Sequence, residues 1–188
     1  MKITPALLGL VLVLSADSLV QAQTAESITL YADRAGTDCS VSDTGVGTAI
    51  VYIFHVGTGT RGACEFRAPK PECWSGATWV GDNYAFPAVL GQSQGPYVTV
   101  AYPACLPLPI YIGKIVFDVT GTAQACCRYP VLPSVYYQSV VTIDCKNPAE
   151  PLPILGGSVV INEDASCPCE RPVALESTTW GRVKSLYH

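Results

Sequence analysis

The clearest alternation of apolar and polar positions lies between residues 97 and 145. Three runs stand out there: 97–102 (Tyr-Val-Thr-Val-Ala-Tyr), 110–119, and 139–145. β-branched and aromatic residues dominate them, and Gly, Pro and Cys punctuate the gaps, as expected of strands. In the middle run Ile115, Phe117 and Val119 alternate with Lys114, Val116 and Asp118. Before Gly113 the apolar residues Ile110 and Ile112 fall on the other parity. Two readings fit. One extra residue near Gly113 restores a common inward face through a bulge, or the strand is buried on both faces.

Further strands are predicted over 28–32, 49–56, 63–67 and 158–162. The run 49–56 is apolar at nearly every position, which suits a sheet centre. In 63–67, Cys64 and Phe66 point inward and Glu65 and Arg67 outward. The glycine-rich turn 57–62 between these two runs predicts a hairpin. Residues 69–91 are broken by Pro and Gly, with a short helical turn expected near Ala88. Residues 121–133 read as a strand end and loop, and 146–157 as a proline-containing loop. The pattern predicts an all-β, disulfide-bonded β-sandwich of about seven or eight strands with Greek-key-like connections. At the end of the chain Ser177 or Thr178 caps a start, and Trp180, Val183 and Tyr187 recur at helical spacing, predicting a short amphipathic C-terminal helix.

The first residues change the picture from fold to compartment. Lys2 precedes the apolar run 5–14, and Val20 and Ala22 stand where a signal peptidase would cut. Residues 1–22 read as a signal peptide, 23–164 as the β-sandwich domain, and 165–188 as a Cys/Pro spacer with the C-terminal helix. No later stretch is long and apolar enough to suggest a membrane span after cleavage. Export predicts a secreted, periplasmic or cell-surface location. The formal net charge of the 188-residue chain is −4, with charges scattered, so nucleic acid is a poor partner.

In that compartment the nine cysteines, Cys39, Cys64, Cys73, Cys105, Cys126, Cys127, Cys145, Cys167 and Cys169, are disulfide candidates. An odd number leaves at least one outside a pair within the chain. Adjacent Cys126 and Cys127 point to opposite faces of a strand and need different partners, with Cys105 and Cys145 as the candidates.

Candidate chemistry is sparse. His55 ends an apolar strand, and a half-buried or edge histidine explains it better than a base paired with Asp33 or Asp38. There is no Gly-x-Ser-x-Gly elbow, and the chain is read as a non-enzyme. Asp33, Asp38 and Asp43 lack the alternation and terminal Glu of an EF-hand, and no metal or cofactor is expected. Aromatic residues are the better binding feature. Trp74, Trp79, Tyr111, Tyr129 and Trp180 are the candidates, with Tyr136 and Tyr137 beside them. The leading function is a non-catalytic structural, adhesion or protein-binding domain. The alternative is a carbohydrate-binding module using exposed aromatics. The expected partner is thus a surface protein or a glycan, and the sequence does not fix an oligomeric state.

Several motifs occur together: Leu30-Tyr-Ala-Asp33, Phe66-Arg-Ala-Pro69, Cys126-Cys-x-Tyr-Pro-Val-Leu-Pro133, Asp144-Cys145, Cys167-Pro-Cys169 and Thr179-Trp-Gly-Arg-Val-Lys184. On these the chain resembles a family of uncharacterised secreted bacterial cysteine-rich β proteins with a C-terminal TTWGRVK-type tail. The resemblance covers nearly all of the mature chain and implies an exported domain. It assigns no activity, ligand or catalytic residue.

Overall fold

The computed structural model describes residues 25–146 and 149–169. The expected signal peptide, the C-terminal helix and Trp180 lie outside the described residues. Twelve strands are formed, and no helix occurs among the described residues. They are β1 (Ser27–Tyr31), β2 (Ser40–Val41), β3 (Gly47–Val56), β4 (Thr60–Phe66), β5 (Ala77–Tyr84) and β6 (Ala88–Gly91). The second half of the chain supplies β7 (Val98–Pro107), β8 (Ile110–Val119), β9 (Cys127–Pro130), β10 (Val140–Ile143), β11 (Pro151–Gly156) and β12 (Ser158–Ile161).

Nine strands form one sheet in the order β5-β8-β3-β1-β11-β10-β4-β7-β6, which curls into a nearly closed barrel. The β5-β8-β3-β1 half and the β10-β4-β7-β6 half face each other across one core. The parallel β1–β11 pair is the seam between them. Ile28, Leu30, Val51, Ile53, Ile115 and Phe117 from one half meet Phe66, Val98 and Val100 from the other. Each fully buried side chain of this kind contributes about 1.5–3 kcal/mol. The small sheet β2-β12-β9 adds Val41, Tyr129, Val159 and Ile161 to the same core.

The outermost strands β5 and β6 are tied by one carboxylate. Asp82 of β5 accepts hydrogen bonds from the Ser93 amide and hydroxyl just after β6, both at 2.7 Å. It also accepts from Trp79 Nε1 at 3.1 Å and Tyr84 OH at 3.0 Å. A half-buried polar node of this kind satisfies donors at the open sheet edge.

The bulge reading of the middle run holds. Ile53 pairs with Gly113 and Phe54 with Tyr111, so Ile112 is the extra residue, and Ile110, Ile112, Ile115, Phe117 and Val119 all face inward. Gly113 is needed there, because a Cβ would lie 2.6 Å from the Asn83 carbonyl of β5.

Other expectations are corrected. β3 and β4 do not form a hairpin. β3 pairs with β1 and β8 and β4 with β10 and β7, because the 57–59 turn carries the chain from one layer to the other. Ala88 begins a strand rather than a helical turn. The proline-containing loop holds β11. The Leu155 amide points to β1, so Pro151 and Pro153 share its parity, and their missing donors face a side that β1 reaches only at Leu155 and Gly156.

The disulfides are Cys39–Cys169, Cys73–Cys127, Cys105–Cys145 and Cys126–Cys167, with Cys64 free and buried. Cys126 and Cys127 do take different partners. Those partners are Cys167 and Cys73, whereas Cys105 and Cys145 bond to each other across the ends of β7 and β10. The described part of the 165–188 segment is therefore stapled twice to the small sheet.

Candidate functional site

The outward face of the β1-β3-β8-β5 layer carries an aromatic and cationic cleft. In β3 the alternation that sends Val51, Ile53 and His55 inward sends Tyr52 and Phe54 outward. Cross-strand register then builds two rows. Tyr31 lies opposite Tyr52, Tyr52 opposite Lys114, and Lys114 opposite Asn83. Phe54 lies opposite Tyr111, brought onto this face by the bulge. Ring contacts link them: Tyr31 to Phe54 at 5.5 Å, Phe54 to Tyr111 at 5.4 Å and Tyr52 to Tyr111 at 6.4 Å between centroids. All four rings are half-buried.

The loop after β1 places a guanidinium over this face. Asp33 Oδ1 accepts from the amides of Thr37 at 2.8 Å and Asp38 at 3.0 Å, and Oδ2 from the Thr37 hydroxyl at 2.6 Å. Burial pushes the Asp33 carboxyl upward, but hydrogen bonds from Asp38, Thr37 and Gly36 outweigh it and hold the group below the usual carboxylate range. Gly36, at φ +70°, packs against the Phe54 ring, which would lie 3.6 Å from a Cβ there. So folded, the loop sets Arg34 Cζ 5.4 Å from the centroid of the Tyr111 ring, within cation–π range. Arg34, Tyr52, Asn83, Ala85, Tyr111 and Lys114 line the cleft, and none of them is acidic. Burial raises the Tyr111 hydroxyl above its ordinary range, while Arg34 pulls it back down.

The other titratable cluster is internal. His55 is fully buried, not half-buried or at an edge, because its parity is that of Val51 and Ile53. Its Nε2 contacts Glu26 Oε1 at 2.9 Å and its Nδ1 contacts Tyr102 OH at 3.0 Å. Glu26 is held on its other side by the Arg61 guanidinium. Burial lowers the His55 pKa, partly offset by Glu26, so the ring is neutral and fits as donor to Glu26 and acceptor from Tyr102. Tyr102 also bonds the Cys64 thiol, whose pKa burial pushes up to about 12. A thiol this protonated and enclosed is inert. Both ring nitrogens of His55 are thus taken, by Glu26 and Tyr102 and not by Asp33 or Asp38.

The candidate residues are dispersed. Trp74 and Tyr129 are fully buried and cannot serve as exposed binding aromatics. Trp74 packs against Phe117 at 4.6 Å and donates from Nε1 to Asp43 Oδ2 at 2.7 Å, and Tyr129 OH donates to the Ala68 carbonyl at 2.6 Å. Trp79 is half-buried over the Asp82 node. Among the described candidates, Tyr111 alone joins the cleft. Tyr31, Arg34, Tyr52, Phe54, Asn83 and Lys114 were missed, although the parity of Tyr52 and Phe54 against Val51 and Ile53 marks an outward aromatic pair. Among the described residues the only grouping with metal-ligand proximity is Cys126, Asp164 and Cys167, and its two sulfurs are joined to each other.

No protein-family model matches the chain, and no curated protein matches it. Among solved structures, the chain is similar to the sixth cohesin of Acetivibrio cellulolyticus scaffoldin B, determined in complex with a Cel5 dockerin variant. The identity is 9%, the match covers 75% of this chain and 100% of that one, and the TM-score is 0.46. It is also similar to the seventh ScaB type I cohesin from Pseudobacteroides cellulosolvens, at 13% identity, 79% and 97% coverage and a TM-score of 0.44.

Proposed function

We propose that the chain is an exported, non-catalytic binding domain whose Arg34–Tyr111 cleft docks an acidic segment of a protein partner. The observation that carries this reading is the pairing of two cations with aromatic rings in a cleft without acidic lining. Among the described residues neither Arg34 nor Lys114 is in an ion pair. Asp33, next to Arg34 in sequence, is turned into its own loop. Against a chain of net charge −4, this local positive field would steer a carboxylate into the cleft. The aromatic rings supply rigid contact area around it.

The rings favour a protein segment over a sugar. They are tilted against each other by 47°, 57° and 88°, so they form no flat platform for a row of pyranose rings. Arg34 already covers one ring, that of Tyr111. His55 and Cys64, the residues with most chemical capacity, are closed inside the core, which supports a role without catalysis. Four disulfides support a location outside the cytoplasm.

The test is a display selection of random peptides on the cleaved, oxidised protein. Enriched peptides should carry Asp or Glu, bind more weakly as salt rises, and lose binding to the Arg34→Glu/Lys114→Glu variant. Selection of uncharged peptides indifferent to that variant would sink the proposal.

A further inference from the structure

The outward face of the β10-β4-β7-β6 half holds a carboxylate that its surroundings do not satisfy. Cys64, Phe66, Val98 and Val100 point into the core, so Glu65 and Thr99 point outward. Register sets Val141, Glu65, Thr99 and Leu90 side by side across the four strands. The next row is floored by Ala63, Ala101 and Ala88. Glu65 is the one charged side chain among these residues, and it is only 8% exposed. Its Oε2 accepts from the Thr99 hydroxyl at 2.6 Å. Among the described residues its Oε1 has no hydrogen-bond partner, and no ion pair includes Glu65. Arg67, on the same parity, gives its Nε to the Pro133 carbonyl at 2.9 Å. A buried carboxylate oxygen left this way is costly and calls for a donor, best a cation. Two other buried oxygens share this state among the described residues. Asp43 Oδ1 lies inside the Trp74 core, and Asp144 Oδ2 has Lys146 Nζ at 3.3 Å.

The chain beyond Cys169 carries the matching cation. At helical spacing Trp180, Val183, Lys184 and Tyr187 fall at i, i+3, i+4 and i+7, on one stripe. Lys184 thus stands inside an apolar stripe, as Glu65 stands inside an apolar sheet face. Residues 177–188 contain no acidic side chain that could neutralise it locally. We infer that residues 177–187 dock on the outward face of β4 and β7, with the Lys184 ammonium donating to Glu65 Oε1 and Trp180 and Val183 covering the alanine floor beside Leu90. Leu90, at 69% exposure, is the apolar rim that this contact would cover. The Arg34–Tyr111 cleft does not compete for the segment, because Arg34 and Lys114 repel Lys184. The anchor and the chain length allow the contact. Cys169 is stapled to Cys39 beside the small sheet, whose Tyr129 hydroxyl donates to the Ala68 carbonyl three residues from Glu65. From Cys169 to Ser177 the chain spans up to about 26–29 Å extended, and a helix to Lys184 adds about 10 Å. A domain of this size has a radius of gyration of about 15 Å, so the face lies within reach.

Nuclear Overhauser contacts in the isotope-labelled full chain, cleaved and oxidised, test this directly. The expected result is contacts from Trp180 and Val183 to Leu90, Thr99 and Ala101, unchanged on dilution. The Trp180 indole resonance should differ from that of a synthetic peptide of residues 177–188. Lys184→Glu changes only the docking segment and leaves the sheet intact. It should raise the released population by about tenfold or more, removing the contacts and moving the indole resonance to the peptide's position. Glu65→Gln, which keeps an acceptor for Thr99, should act in the same direction. An indole resonance that coincides with the free peptide in the parent protein would overturn the inference. So would contacts to another face, contacts indifferent to both variants, or contacts that appear only as a dimer forms.

Discussion

Replacing Trp74 by Ala separates a core role from a binding role most cleanly. The side chain is fully buried, packs on Phe117 and Tyr129, and donates its only polar hydrogen to Asp43. Truncation removes the whole indole and leaves a cavity, which in buried aromatics costs about 3–5 kcal/mol. It also removes one of the two donors to Asp43 Oδ2, the other being the Ala123 amide at 3.3 Å. Among the described residues Asp43 Oδ1 already has no hydrogen-bond partner, so little remains to compensate the carboxylate. A further 1–3 kcal/mol, roughly, attaches to such a loss, although the two effects overlap. The Trp74→Ala variant should therefore lose about 4 kcal/mol or more, and Trp74→Phe about 1–3 kcal/mol because it keeps most of the packing and drops the N–H. Urea unfolding of the oxidised proteins, followed by far-ultraviolet circular dichroism, measures both. A Trp74→Ala protein within about 0.5 kcal/mol of the parent, the range typical of surface changes, would refute the placement of Trp74 in the core.

Three other outcomes are expected. Alkylation of the native oxidised protein should modify no cysteine, and alkylation after denaturation without reductant should modify one, Cys64, as read by mass spectrometry. Stability should fall as pH drops below about 6.5, because burial holds the native His55 pKa below its unfolded value and the unfolded chain takes up the proton first. That stability is fully present above the unfolded pKa, and melts of a His55→Gln variant should show a shallower slope across the window. Gly113→Ala should cost about 1–3 kcal/mol by driving a methyl into the Asn83 carbonyl, and a melt unchanged from the parent would contradict the bulge geometry.

Where the chain alternates strictly, the fold was legible. Ile115, Phe117 and Val119, with Ile110 and Ile112 on the opposite parity, were enough to raise the bulge that brings Tyr111 beside Phe54. The all-β class also followed from composition and spacing. What escaped notice was structure held by edges and partners rather than by local pattern. β5 is the outer strand of its layer, interrupted by a bulge at Val80 and by Gly81. β11 contains two prolines that only its half-open neighbourhood tolerates. The β3–β4 turn resembled a hairpin because a glycine-rich link does not record which layer the next strand joins. The cleft is half visible in the sequence: Tyr111 stands out, but a run apolar at nearly every position conceals that Tyr52 and Phe54 face away from Val51, Ile53 and His55. Trp74 and Tyr129 were misjudged because a tryptophan or tyrosine serves core and surface alike, and only the positions of Asp43 and Ala68 show where their polar atoms are satisfied.

The central claim is that an acidic protein segment binds the Arg34–Tyr111 cleft. The most direct measurement is backbone and side-chain NMR shift mapping of the cleaved, oxidised protein, titrated with the best acidic peptide from the display selection. The account predicts the largest changes at Arg34, Tyr52, Asn83, Tyr111 and Lys114, shrinking as salt is raised. Changes centred on Tyr136 and Tyr137, or spread over the β4–β7 face with the cleft silent, would contradict it.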